Sequence, residues 1–264
     1  MQQRFRFLRL ATALGALLFS STATAQFTTL DPQQVSTHAG VNLSVVVVDR
    51  PETDLDSVLR ADLYVEVGFV DFSIYSALPV MATLAGKPSK ATIGNLEVGG
   101  AHRWSTDGPI SVVSHAGLVF PTASSDLKRR EVAESGSTGQ IGDFYVSSLP
   151  ELWAVRLATS PRADFGAFFM QSDLGFDFLF PEDVSDEVGL RTSIGAGVTV
   201  VIATLTVEIA NAGLISENDS FEQTFSVGLD LNALLIRPRI TYTTGLSDDL
   251  GDDFTLTVGA SIGF

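Results

Sequence analysis

Apolar residues occupy every second position at the end of the chain, where Phe254, Leu256, Val258, Ala260, Ile262 and Phe264 alternate with Thr255, Thr257, Gly259, Ser261 and Gly263. A period of two belongs to a β-strand, whose successive side chains point to opposite faces. The same alternation recurs through residues 165–180. There Phe168, Met170, Leu174, Phe176, Phe178 and Phe180 share one face, and Phe169, Gln171, Asp173, Gly175 and Asp177 share the other. Read in this way, the chain predicts strands at 42–49, 61–69, 72–81, 93–104, 109–120, 149–159, 165–180, 189–200, 203–212, 221–231, 235–245 and 254–264. Their connections alternate in length. The links at 70–71, 105–108, 160–164, 201–202 and 232–234 are short, whereas those at 50–60, 82–92, 121–148, 181–188, 213–220 and 247–253 are longer.

Two architectures bury one face of such strands. In a soluble sandwich the apolar face is the core; in a membrane barrel it meets lipid and the polar face lines the lumen. Aspartates on the polar face of 165–180 suit a wetted lumen and would be costly in a dry core. Short turns at one end and longer loops at the other are the pattern of a bacterial outer-membrane barrel, and an even strand count puts both chain ends on the short-turn side. The predicted fold is therefore all-β, an antiparallel up-and-down transmembrane barrel of about twelve strands.

The alternation also assigns an interior. Glu97, His115, Asp173, Asp177, Arg191, Glu208, Asp230, Arg237 and Arg239 are the candidate lumen-lining residues. Antiparallel pairing across 181–188 brings Arg191 near Asp177, which predicts an ion pair. Trp104 and Trp153 fall near short turns, and Phe180 and Tyr242 toward the other end, as two interfacial girdles would.

The amino terminus supplies an address. Arg4, Arg6 and Arg9 precede an apolar run at 10–19 and a small-residue Ala23-Thr24-Ala25. Those are the parts of a cleaved signal peptide spanning 1–25, followed by a periplasmic segment at 26–41 and the barrel at 42–264. The apolar run is far shorter than the roughly 20 residues of a spanning helix.

Composition changes the picture at two points. With no cysteine, an exported chain has no disulfide framework and must rely on its sheet. A formal charge of −15 excludes nucleic acid as a natural partner. Acidic loops hold Glu182, Asp183, Asp186 and Glu187, then Glu217, Asp219 and Glu222, then Asp248, Asp249, Asp252 and Asp253. Oxygen ligands of this kind hold calcium or magnesium in other settings, but a solvated acidic rim accounts for them, and no metal or other cofactor is expected. The longest link, 121–148, mixes Lys128, Arg129, Arg130, Glu131 and Glu134 with a Gly/Ser-rich run; it either folds inward as a constriction or lies outside.

Apparent catalytic signals fail on context. Gly259-Ala260-Ser261-Ile262-Gly263 matches a nucleophile elbow, yet no helix follows and every histidine precedes Ser261. Ser114 and His115 are strand neighbours and point to opposite faces. Asn218-Asp219-Ser220 matches a glycosylation sequon by chance. No catalytic residue is expected.

A closing strand that ends on an aromatic resembles the C-terminal assembly signal of Gram-negative outer-membrane barrels, carried here by Phe254, Leu256, Val258, Ala260, Ile262 and Phe264. Three further segments, Ile93-Gly94-Asn95-Leu96-Glu97-Val98-Gly99, Gly117-Leu118-Val119-Phe120-Pro121-Thr122 and Ile236-Arg237-Pro238-Arg239-Ile240-Thr241-Tyr242, resemble small outer-membrane barrels of transport type, including those linked to phenol degradation. The resemblance implies outer-membrane lipids and lipopolysaccharide as surroundings, the barrel-assembly machinery as a partner of the last strand, and small solutes as cargo. The expected function is a narrow, non-catalytic channel or uptake protein. A plugged structural or surface-binding barrel is the alternative, and a lipid-acting barrel enzyme a weaker one.

Overall fold

Hydrogen bonding closes the chain into a single antiparallel ring. The computed structural model describes residues 35, 37–48, 54–87, 89–105, 108–138, 140–182, 185–216, 221–231, 236–247, 250 and 253–263. Thirteen strands follow in order: β1 (His38–Val47), β2 (Leu55–Gly68), β3 (Phe72–Gly86), β4 (Ala91–Ile93), β5 (Leu96–Ser105), β6 (Ile110–Phe120), β7 (Leu152–Phe165), β8 (Phe168–Pro181), β9 (Glu187–Val200), β10 (Ala203–Leu214), β11 (Glu222–Leu231), β12 (Ile236–Gly245) and β13 (Phe254–Gly263). Strand β3 pairs with β4 through Val80, Met81 and Ala82, and with β5 through residues 72–77, so β4 and β5 are one barrel strand broken at Gly94 and Asn95. Counted in this way the barrel has twelve strands. Strand β1 pairs with both β2 and β13, which shuts the ring.

Closure matters because a backbone N–H or C=O left open in hydrocarbon costs several kcal/mol, and a ring leaves no edge. The burial pattern then shows which face meets lipid. On β8 the large apolar side chains Phe168, Met170, Leu174, Phe176, Phe178 and Phe180 are exposed, while Phe169, Gln171, Asp173 and Asp177 are buried. Strand β13 repeats this, with Phe254, Leu256, Val258 and Ile262 exposed and Thr255 and Thr257 buried. An apolar exterior around a polar interior is the inverse of a soluble sandwich.

Several sequence expectations are corrected, among them the start of β2, at Leu55 and not 61, and the end of β3, at Gly86 and not 81. Strand β1 begins at His38, ahead of position 42. Strand β7 runs on to Phe165 instead of ending at 159, and the turn is Gly166-Ala167 rather than 160–164. Ser160-Pro161 reads as a breaker, yet Pro161 lies in the strand opposite Val112. The ladder to β8 simply skips Ser160 and Pro161, which has no N–H to donate, and resumes at Arg162. Gly166 takes the positive φ of 75° that this tight turn needs. Trp153 lies at the long-loop end, opposite Phe180 and 5.2 Å from the Phe120 ring, so it joins the outer aromatic belt and not the short-turn one. The short-turn belt is formed instead by Trp104 with the stacked pairs Phe69–Phe72 and Phe165–Phe168.

The longest link takes the inward one of its two expected courses and carries helix. Helix α1 (Leu127–Ser137) starts at Asp126, whose carboxylate accepts from the Arg129 N–H at 3.1 Å. A 3₁₀ turn (Ile141–Asp143) and the short α2 (Phe144–Ser148) follow. Val132 and Ala133 of α1 pack on Leu55, Val58 and Met81. Ile141 packs on Ala210, Ala212 and Leu250, and Val146 on Val119, Leu152, Ala154 and Leu179. These partners come from β2, β3, β6, β7, β8 and β10, so the segment crosses the outer half of the lumen.

Candidate functional site

The interior charges form a linked belt on the wall from β3 to β9. Arg156 on β7 is its centre: Nη1 donates to Glu97 Oε2 at 2.6 Å and Nε to Asp177 Oδ1 at 3.1 Å. Beyond Glu97, the Tyr75 hydroxyl donates to Oε1 at 2.5 Å. Past Asp177, Oδ2 lies 2.9 Å from Arg191 Nε, the ion pair expected from the sequence. Arg191 and Asp177 sit diagonally across β8 and β9, with Arg191 opposite Gly175 and Asp177 opposite Gly189. A Cβ at Gly175 would stand 2.7 Å from Arg191 Nη2, so the guanidinium lies where only glycine leaves room.

Of the other interior candidates, His115 is buried edge-on to the Tyr75 ring at 6.2 Å. Asp173 is buried and accepts from Ser160 Oγ at 2.5 Å. Glu208, Asp230 and Arg239 are buried, with Asp230 directly opposite Arg239 between β11 and β12. Arg237 is half-buried on the same face of β12. Ser114 points the other way and meets Thr159 on β7 at 3.4 Å.

The inward segment is tied to this belt. Arg156 Nη1 also donates to Asp143 Oδ1 at 2.8 Å, and Nη2 to the Gly142 carbonyl at 2.9 Å. Across the lumen on β2, Arg60 donates to Asp62 at 2.7 Å and to Ser137 Oγ at 3.2 Å, and lies 3.9 Å from Asp143 Oδ2. Gln140 donates to the second oxygen of Asp62 at 2.7 Å. Asp143 thus bridges guanidiniums from two sides of the barrel. Desolvation inside the lumen opposes its ionisation, but Arg156, Arg60 and Arg191 outweigh that and hold its carboxyl below the usual range.

Asn95 fixes both ends of the segment. At the break between β4 and β5 its Nδ2 donates to the carbonyls of Val146 at 2.9 Å and Leu149 at 2.7 Å, its Oδ1 accepts from the Ala123 N–H at 2.9 Å, and its own N–H donates to Ser147 at 3.1 Å. A bulge turns this residue inward, as bulges do where a strand must re-aim a side chain.

Sequence reasoning missed Arg60, Asp62, Asn95, Asp143 and Arg156. Arg60 falls in the expected link 50–60, whose latter part is the first half of β2, and Asp143 and its neighbours fall in the link 121–148, which the alternation leaves without structure. Arg156 was legible, since it alternates in phase with Leu152 and Ala154, all three buried. Among the described residues no cluster of histidine or carboxylate side chains is poised to hold a metal. Glu182, Asp186, Glu187, Glu222 and Asp253 are described; Asp183, Glu217, Asp219, Asp248, Asp249 and Asp252 lie outside the described residues, as do Phe264 and the leader.

No protein-family model matches the chain, and no curated protein does. Solved structures do resemble it. An outer-membrane channel from Pseudomonas putida F1 aligns with TM-score 0.63 at 11% identity, covering 92% of this chain and 98% of that one. The NanC porin aligns with TM-score 0.57 at 10% identity, covering 86% and 100%. The KdgM porin, solved with disordered oligogalacturonate, aligns with TM-score 0.55 at 13% identity, covering 86% and 99%. At these identities the likeness is one of fold: a transmembrane barrel of the outer-membrane type.

Proposed function

We propose that this protein is a non-catalytic outer-membrane channel for small solutes, narrowed by the segment 121–151 folded into its outer half. The observation that carries the reading is the inverted barrel: charged side chains from seven or more strands face a common interior, which a lipid-embedded barrel needs only if water or solute enters it. The proteins it resembles are named as channels and porins. Export by a leader at 1–25 and insertion through the last strand fit this address. Glu97, Asp177, Arg156 and Arg191 would set the field at the narrowest level, with Asp173, Glu208, Asp230, Arg237 and Arg239 nearer the short-turn end. Recording in a planar bilayer tests the reading. Discrete ion-conducting steps from purified, heat-modifiable protein are expected; folded protein that never conducts would leave a plugged structural barrel.

A further inference from the structure

Asp143 stands in a peculiar position for a loop carboxylate. It is held by a barrel guanidinium on one side and faced by another across the lumen, 2.8 Å from Arg156 and 3.9 Å from Arg60. Those arginines already have fixed partners on the wall: Asp62 for Arg60, and Glu97 and Asp177 for Arg156, with Asp177 shared by Arg191. Three guanidiniums therefore face three wall carboxylates, and Asp143 is a fourth that the wall does not need for neutrality. Its side chain is still 40% accessible, whereas Arg60 and Arg156 are at 2% and 5%, so the space it occupies is continuous with the lumen.

We infer that Asp143 is a tethered stand-in for solute, filling a lumenal site of Arg156 and Arg60 whose ligand class is a small monocarboxylate. The inference rests on the channel reading. When the 3₁₀ turn withdraws, Arg156 loses Asp143 from Nη1 and the Gly142 carbonyl from Nη2. Those two nitrogens form the planar fork that the two oxygens of a carboxylate fit. Arg60 loses its approach to Asp143 Oδ2 at the same moment and keeps its contact with Ser137 on the helix. A monocarboxylate arriving there replaces one negative charge by one, so the exchange leaves the site's charge unchanged. A second negative charge on the solute would find Glu97, Asp62 and Asp177 and be repelled. Asn95 keeps both ends of the segment in place meanwhile, so the movement is confined to the turn that carries Gly142 and Asp143.

The test uses Asp143→Asn, which keeps the shape and removes the charge, in planar bilayers where acetate replaces chloride at constant ionic strength. Acetate should block D143N current at about one tenth of the concentration needed for the intact protein, the order expected when one charge-assisted competitor is removed. The double variant Arg60→Gln with Asp143→Asn should lose most of that gain, and the heat-modifiable band on gels establishes that both are folded. Should Asp143→Asn misfold, acetate block of the intact protein that succinate at equal concentration does not exceed supports the site; stronger block by succinate overturns it. Conducting variants that all respond to acetate alike also overturn the site and leave the channel standing. Absence of current in every folded form removes the channel reading itself, and the site with it.

Discussion

Removing the Asn95 amide should loosen the inward segment without unfolding the barrel. The side chain satisfies two carbonyls and one N–H of that segment, none of them part of the ladder. Leaving such buried groups unpaired costs on the order of 1–3 kcal/mol each. Asn95→Ala is therefore expected to raise trypsin cleavage at the exposed Lys128, Arg129 and Arg130 several-fold while the heat-modifiable band persists; unchanged cleavage would mean that apolar packing alone holds the segment. Asp143 gives a pH-dependent counterpart. Its carboxyl titrates below the ordinary carboxylate range because Arg156, Arg60 and Arg191 overcome its desolvation, with Glu97, Asp62 and Asp177 completing its surroundings. A lowered value in the docked state stabilises docking above the undocked pKa of about 3.9, and that contribution disappears as pH falls through the docked value. Conductance should be steady from neutral pH to about 5 and rise below about 4, a rise that Asp143→Asn abolishes.

At the scale of a strand, β8 offers the sharpest test because its two faces differ most. An arginine facing lipid near the membrane middle costs about 2–4 kcal/mol. Phe176→Arg should lower the urea midpoint accordingly, whereas Phe176→Leu should barely change it; equal midpoints would reverse the facing of this strand. Gly175 is not the neutral interior control that alternation alone suggests, because any side chain there displaces Arg191. The hairpin between β9 and β10 turns on Val201 at φ 56°, a conformation that a β-branched residue adopts only under strain. Val201→Gly is expected to stabilise the fold by roughly 1 kcal/mol, read from the same urea transitions.

For the whole molecule, the interior charges lean to the acidic side. Arg60, Arg156, Arg162, Arg191 and Arg239 are buried beside Glu66, Asp173, Asp177, Glu208 and Asp230, with Asp62, Glu97, Asp143 and Asp164 as half-buried or exposed additions. A weak cation preference follows, diminished by salt because exposed charges are screened within about 10 Å at 0.1 M. Replacing Asp173 and Asp177 by Asn should move the reversal potential toward the anion side, since Arg156 and Arg191 then lose a shared carboxylate. A reversal potential indifferent to both changes would place the ion path away from this wall.

The sequence by itself determined the strand count, the pairing of neighbours and the lipid face, because a period of two is local and a residue such as Phe176 or Asp177 declares its side wherever the strand sits. It determined the Arg191–Asp177 contact for the same reason, since a hairpin fixes which residues come level. The clearest boundary error lay where local chemistry contradicted the sheet, since Pro161 signals a turn yet stays in β7, whereas the turn at 201–202 stands where the alternation put it although no turn residue announces it. Only the tertiary structure decided where 121–148 goes. That segment has no strand period, and its placement depends on Asn95, Arg60 and Arg156, residues contributed by β2, by the β4–β5 break and by β7. No local pattern encodes a meeting of groups so far apart in the chain, because their proximity exists only once the ring has closed.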